Sequence, residues 1–79
     1  MTLNDRLRAV FVDALELPEG VDVENLKYRD IAQWDSLGHM TLVAAIEEEF
    51  DVVLETEQVI DMSSFKVGLD MLRSMGVDE

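Results

Sequence analysis

Apolar residues recur at intervals of three and four along this chain, and no other feature constrains its fold as much. The first such stretch carries one stripe, formed by Leu3, Leu7, Val10, Phe11, Ala14 and Leu15. This spacing is typical of an amphipathic helix with one buried side. Thr2 can cap the helix with Asp5 three residues on, and the helix is expected to end near Glu16.

The second stretch predicts a helix from about residue 36 to 51, capped by Asp35 or Ser36. Its core stripe is expected to be His39, Leu42, Val43, Ile46 and Phe50. A neighbouring face carries Leu37, Met40 and Ala44 and continues into Glu47 and Glu48. The helix therefore presents a modest apolar patch framed by acids, which is a sensible docking surface on so small a domain.

The remaining chain predicts two further helices. Thr56 can cap a short helix running through Met62, and Ser63 or Ser64 can cap the last helix, ahead of a left-handed Gly76. The stripe of that last helix is expected at Phe65, Leu69, Leu72 and Met75. Residues 17–34 form a long connection with a short turn at 24–26. Its apolar anchors are Leu17, Val21, Val23, Leu26, Tyr28 and Ile31. The sequence predicts an all-α domain over residues 1–79, a small four-helix bundle of three longer helices and one short one.

The chain is strongly acidic, with 18 acids, 6 bases and a formal net charge of −12. From Asp30 to Phe65 the chain has no Lys or Arg but nine acids, Asp30 included. Such a field repels nucleic acid and anionic membranes and attracts basic patches on other proteins. No apolar run is long enough to cross a bilayer, and the first residues lack a signal-peptide pattern. We expect a cytoplasmic monomer.

The sequence lacks the residue patterns that metal sites and cysteine chemistry require. The chain has no cysteine, which excludes disulfides and thiolate zinc sites. Its acids do not follow the alternating spacing of a calcium-binding loop. We expect no metal site.

Asp35-Ser36-Leu37 places a hydroxyl where the second helix begins. From residue 35 to 50 the sequence reads DSLGHMTLVAAIEEEF. This resembles the second helix of acyl carrier proteins and their peptidyl carrier relatives. The resemblance implies that Ser36 carries a covalent 4′-phosphopantetheine arm, taken from coenzyme A by a phosphopantetheinyl transferase with magnesium. The chain would then be a carrier of acyl or aminoacyl thioesters and not an enzyme.

The resemblance also implies two sets of binding residues. Acyl-activating and acyl-processing enzymes with basic patches would contact Asp35, Leu37, Met40, Ala44, Glu47 and Glu48. In relatives with aliphatic cargo the acyl chain can enter between the helices, and the matching positions here are Val43, Ile46, Leu54, Val59, Met62, Gly68 and Leu69. Gly68 is expected to leave room that a larger side chain would fill.

Two positions depart from the pattern of fatty-acid-synthase carriers, which place acids where this chain has Gly38 and Thr41. Trp34, just before Asp35, is also more similar to specialised or peptidyl carriers. We therefore expect a specialised pathway rather than housekeeping fatty acid synthesis. Restoring the acids with Gly38→Asp and Thr41→Glu should favour fatty-acid-synthase enzymes, and Gly38→Asp should slightly stabilise the helix.

Two other classes of protein remain open. An acidic helical interaction module without a prosthetic group would explain the charge and the helices. A very small serine hydrolase would use Ser36 with His39 as its base, but no third orienting group or oxyanion hole is evident. A partly buried structural role is the favoured interpretation of His39.

Overall fold

Four α-helices form the domain, as the sequence predicts. The structure is a computed structural model that describes residues 2–77. The helices are α1 (Leu3–Leu15), α2 (Ser36–Phe50), α3 (Thr56–Asp61) and α4 (Phe65–Ser74). Within residues 2–77 there is no strand, and the only β-type pairing is one antiparallel bridge between Lys27 and Ser64. No helix in this part of the chain is both long and apolar enough to cross a membrane.

The helix starts follow local capping chemistry. Thr2 Oγ1 accepts from the Asp5 N–H at 3.1 Å, and the Asp5 carboxylate accepts from the Thr2 N–H, which confirms the predicted first cap. Ser64 caps α4 by accepting from the Val67 N–H. The predicted cap at Thr56 is wrong by one residue. Glu55 is the N-cap of α3, because the Gln58 side chain reaches back to accept from the Glu55 N–H at 2.9 Å.

Two helices end on acidic residues in a left-handed conformation. Glu16 follows α1 with φ 51°, and Asp51 follows α2 with φ 53°. Gly76, with φ 85°, takes the predicted left-handed position after α4. Left-handed backbone suits glycine far better than other residues, and a negative charge at a helix C-terminus is unfavourable. Glu16 and Asp51 are therefore unfavourable at these two helix ends, both in backbone conformation and in charge.

The core is built around three aromatic side chains. Phe11 of α1 packs edge-on against Trp34, with ring centroids 5.2 Å apart, and against Phe65 of α4 at 5.1 Å. All three are fully buried. The predicted stripes of α1 and α2 are buried except for Ala14 and His39, which are half-buried. In α4 the buried residues are Phe65, Gly68 and Leu72, whereas Leu69 is only half-buried.

The long first loop packs on the bundle. Leu17, Val23 and Leu26 are buried, which confirms them as anchors, and a 3₁₀ turn spans Val23–Asn25, one residue earlier than predicted. The Tyr28 N–H donates to the Ser63 carbonyl at 2.8 Å, and the Phe65 N–H donates to Leu26. These bonds join the loop to the junction between α3 and α4. They fix residues 26–28 of the loop against this junction.

Candidate functional site

Ser36 is the first residue of α2, and its side chain is exposed. The preceding Asp35 has extended backbone, and its Oδ1 accepts from the Gly38 N–H at 2.8 Å. Asp35 is therefore the helix cap, and the Ser36 hydroxyl is not needed to satisfy the amides of the first turn. The structure leaves this hydroxyl available for other chemistry at the helix start.

The hydroxyl of Ser36 faces a tyrosine of the first loop. Tyr28 Oη lies 3.3 Å from Ser36 Oγ, and either group can donate. The guanidinium of Arg29 lies over the Tyr28 ring, with Cζ 5.6 Å from the ring centroid. Hydrogen bonding by Ser36, and then by Arg29, lowers the pKa of Tyr28 below its ordinary value of 10.0. The three side chains form one group, in which Tyr28 contacts both Ser36 and Arg29.

Arg29 holds its position on strained backbone. Its φ of 72° lies in the left-handed region, which costs a non-glycine residue about 1 to 2 kcal/mol. The Arg29 N–H donates to the Trp34 carbonyl at 3.1 Å, and the Asp30 N–H donates to Lys27 at 2.9 Å. The Asp30 carboxylate in turn accepts from the Lys27 N–H. This tight turn determines where the Arg29 side chain leaves the chain.

Gly38 is packed directly against the loop. A Cβ at this position would overlap the Gln33 carbonyl oxygen and lie 3.2 Å from Leu15 Cδ2. The expectation that Gly38→Asp stabilises the helix is therefore wrong, since the gain in helix propensity is outweighed by a clash with backbone. Thr41, the other departure, is exposed, and its hydroxyl donates to the Leu37 carbonyl.

His39 connects three elements of the fold. Its Nδ1 accepts from the Trp34 indole N–H at 3.0 Å, and its Nε2 lies 2.7 Å from the Val59 carbonyl. Because Trp34 can only donate and the carbonyl can only accept, the geometry assigns the imidazole proton to Nε2. Both ring nitrogens are thus committed to contacts within the fold. This matches the partly buried structural role expected of His39.

Some residues of the predicted docking face of α2 are exposed, and one makes a contact within the fold. Leu37 is 77% exposed and Met40 55%, and Ile60 of α3 is 73% exposed, so apolar surface is present beside Ser36. Ala44 and Glu48 are also exposed. Glu47 is half-buried, and its carboxylate accepts from the Leu54 N–H at 2.8 Å, which pins the connector between α2 and α3.

The residues matched to an acyl pocket mostly lie in the packed interior. Val43, Ile46, Leu54, Met62 and Gly68 are buried, while Val59 and Leu69 are half-buried. Gly68 does not leave open room as expected. A Cβ there would lie 3.2 Å from Met62 Sδ, because the methionine side chain already covers this position.

A separate cleft of about 220 Å³ lies between the first loop, α2 and α3. Its lining residues are Tyr28, His39, Val59, Ile60, Met62 and Ser63. Tyr28 is also the partner of Ser36, so the cleft is next to the candidate attachment point. It shares only Val59 and Met62 with the set matched to an acyl pocket.

Few of the acids are neutralised by ion pairs. Between residues 2 and 77 the ion pairs are Arg6 with Glu49 at 3.3 Å and Arg8 with Glu24 at 3.0 Å. Neither involves Arg29. No group of three or more metal-ligating side chains occurs in the same part of the chain. The negative charge around α2 therefore remains largely uncompensated.

Comparison with models of known protein families gives no match for this chain. The site itself must therefore support any assignment of function. The sequence predicts Tyr28 only as an apolar anchor and predicts no role for Arg29, yet the structure brings Tyr28 to Ser36 and Arg29 onto Tyr28. The one signal in the sequence is that Arg29 is the last base before the stretch without Lys or Arg.

Proposed function

We propose that this chain is a carrier protein that holds acyl or aminoacyl intermediates as thioesters on a 4′-phosphopantetheine arm attached to Ser36. The observation that carries the proposal is the exposed Ser36 hydroxyl at the start of α2, with Asp35 serving as the helix cap. A hydroxyl that is not needed to cap its helix, and is open to a second protein, suits enzymatic modification.

Attachment requires another enzyme, because an isolated serine hydroxyl is a poor nucleophile. Ser36 Oγ would attack the coenzyme A phosphorus that bears the pantetheine. The Oγ–P bond forms as the P–O bond of the diphosphate breaks, 3′,5′-ADP leaves, and the hydroxyl proton passes to a base of the transferase. Magnesium held by the transferase would offset the charge of the diphosphate. When attached, the arm supplies a thiol that holds the acyl group at high effective concentration for successive enzymes.

The surface around Ser36 supports recognition by basic partners. Leu37, Met40 and Ile60 offer exposed apolar contacts, and Glu48 adds an exposed acid on the same helix as Ser36. Apolar contacts at the centre of an interface supply affinity, whereas charges at its rim set encounter rate and partner choice. We assign the docking of acyl-activating and acyl-processing enzymes to this face.

A specialised pathway is supported by the packing of Gly38. Fatty-acid-synthase carriers place an acid here, but the Gln33 carbonyl leaves no space for a side chain. The acid is thus incompatible with this loop conformation. Aliphatic cargo, where carried, would enter through the cleft beside Tyr28, and deeper entry toward Gly68 would require Met62 to move.

The test is intact mass after incubation with coenzyme A, magnesium and a broad-specificity phosphopantetheinyl transferase. The expected result is the gain of one phosphopantetheinyl group by the native chain and none by Ser36→Ala. Ser63→Ala removes another exposed serine and should load fully. Absence of loading on the native chain, or loading of Ser36→Ala, would refute the proposal.

The same measurement separates the carrier from its alternatives. An acidic interaction module without a prosthetic group would remain unmodified while still binding basic partners through Leu37 and Met40. A serine hydrolase would also remain unmodified and would react with ester substrates. The engagement of both His39 nitrogens by Trp34 and Val59 argues against that last function.

A further inference from the structure

Arg29 places a positive charge beside the candidate attachment point. In a chain of net charge −12, it forms no ion pair with an acid among residues 2–77. Its guanidinium lies instead over the ring of Tyr28, whose hydroxyl is 3.3 Å from Ser36 Oγ. The backbone at Arg29 is left-handed, a conformation that a glycine would adopt without strain. The guanidinium therefore has N–H donors that remain available for an anionic ligand.

We propose that the Arg29 guanidinium and the Tyr28 hydroxyl bind the phosphodiester that joins the prosthetic arm to Ser36. This inference rests on the proposed function of Ser36 as the attachment point. Arginine offers planar paired donors that match two phosphate oxygens, and the tyrosine hydroxyl donates a further hydrogen bond once Ser36 is esterified. Arg29 and Tyr28 are positioning residues, because they fix where the arm leaves the surface.

The charge around Ser36 explains why such a contact is needed. The phosphodiester adds an anion beside Asp35, whose carboxylate already occupies the Gly38 N–H at the start of α2. The stretch from Asp30 to Phe65 contains nine acids and no Lys or Arg. Among residues 2–77, Arg29 is the cation whose side chain lies over the Tyr28 ring, beside Ser36. Without it, the arm would be pushed away from the domain by a field of its own sign.

Phosphorus NMR of the fully loaded protein tests the inference. The variants are Arg29→Gln, which removes the charge, and Tyr28→Phe, which removes the hydroxyl. Lys27→Gln is the control, because it removes an exposed charge two residues from Arg29. The loaded native chain should show a ³¹P resonance displaced from, and broader than, that of the same chain unfolded in urea. In Arg29→Gln the resonance should narrow and move toward its position in the unfolded chain. In Tyr28→Phe both changes should be smaller, and in Lys27→Gln the position and width should equal those of the native chain.

Melting temperatures provide a second readout that does not depend on partner enzymes. On loading, the melting temperature should rise more, or fall less, in the native chain than in Arg29→Gln. The difference should be about 1 to 4 °C at low salt, as for an exposed ion pair in a small domain. Equal ³¹P signals and equal changes on loading in the native chain, Arg29→Gln and Lys27→Gln would overturn the inference and leave the carrier function standing. Failure of the native chain to load would overturn both. Arg29→Gly, which relieves the backbone strain, replaces Arg29→Gln if that variant does not fold.

Discussion

The indole N–H of Trp34 donates to His39 Nδ1 at 3.0 Å, and this bond ties the end of the first loop to α2. Trp34 is fully buried, so its N–H has no access to water and depends on the histidine. The other ring nitrogen of His39 reaches the Val59 carbonyl of α3. One imidazole therefore connects the loop, α2 and α3 immediately beneath Ser36.

Replacing His39 should destabilise the domain through its partners. His39→Leu leaves the Trp34 N–H and the Val59 carbonyl unsatisfied, and we expect it to cost about 2 to 5 kcal/mol in urea unfolding. His39→Gln retains polar atoms and should cost less. A loss below about 0.5 kcal/mol for His39→Leu would show that water readily replaces the ring, a result at odds with this network.

Gly38 should not tolerate even a methyl group. By helix propensity alone, Gly38→Ala would gain about 1 kcal/mol, but its Cβ would overlap the Gln33 carbonyl. We expect a net loss of about 1 to 3 kcal/mol, and a similar or larger loss for Gly38→Asp. Thr41→Glu is the control on the same helix, because Thr41 is exposed, and it should stay within about 0.5 kcal/mol. Higher stability of Gly38→Ala would show that the loop yields easily.

Tyr28 is the only tyrosine of the chain, so tyrosinate absorbance reports its ionisation directly. Its pKa in the folded domain is lowered, first by Ser36 and then by Arg29. The titration midpoint should therefore lie below 10.0. It should rise both in Ser36→Ala and in Arg29→Gln, whereas Lys27→Gln should leave it unchanged.

The lowered pKa also fixes the sign of one contribution to stability. The folded state favours the tyrosinate, so the contribution is fully present above the unfolded pKa and is lost as pH falls through the lowered folded pKa. Between those two values, the stability difference between the native chain and Tyr28→Phe should grow as pH rises. The opposite slope in urea unfolding across this window would contradict the assigned contacts.

The left-handed residues that follow α1 and α2 offer a route to higher stability. Glu16→Gly and Asp51→Gly each relieve a φ near 50° and remove a negative charge from a helix C-terminus. Each should raise the free energy of unfolding by about 1 kcal/mol. Glu48→Gly, at an exposed position inside α2, should lower it by about 1 kcal/mol, and equal effects at all three sites would exclude a conformational cause.

The two faces of α2 should separate partner transfer from folding. Ile46 is 1% exposed and Phe50 is buried, so Ile46→Ala or Phe50→Ala should cost about 2 to 5 kcal/mol by leaving a cavity. Leu37→Ala or Met40→Ala should change stability by less than about 1 kcal/mol and slow acyl transfer to partner enzymes. Thermal melts of the four variants, compared with transfer rates of the loaded protein, test this division. Equal destabilisation by Met40→Ala and Phe50→Ala would disprove it.

Features that depend on neighbouring residues could be predicted from the sequence, and features that depend on the loop could not. Thr2 with Asp5, and Gly76 after α4, act through contacts a few residues apart. The structural roles of Gly38 and Arg29 depend on tertiary packing. The Gln33 carbonyl excludes a side chain at Gly38, and the turn closed by Trp34 sends Arg29 toward Tyr28. Neither relationship has a spacing that a sequence pattern could reveal.

The largest side chain of the core, Trp34, belongs to a segment without regular secondary structure. Phe11 packs against it directly, so any opening of the loop exposes α1 and the ring of Phe11 to water. The helices therefore have no complete interior of their own, and loop and bundle must gain and lose order as one cooperative unit. A truncated version that keeps the helices but shortens residues 17–34 would lack the centre of its hydrophobic core.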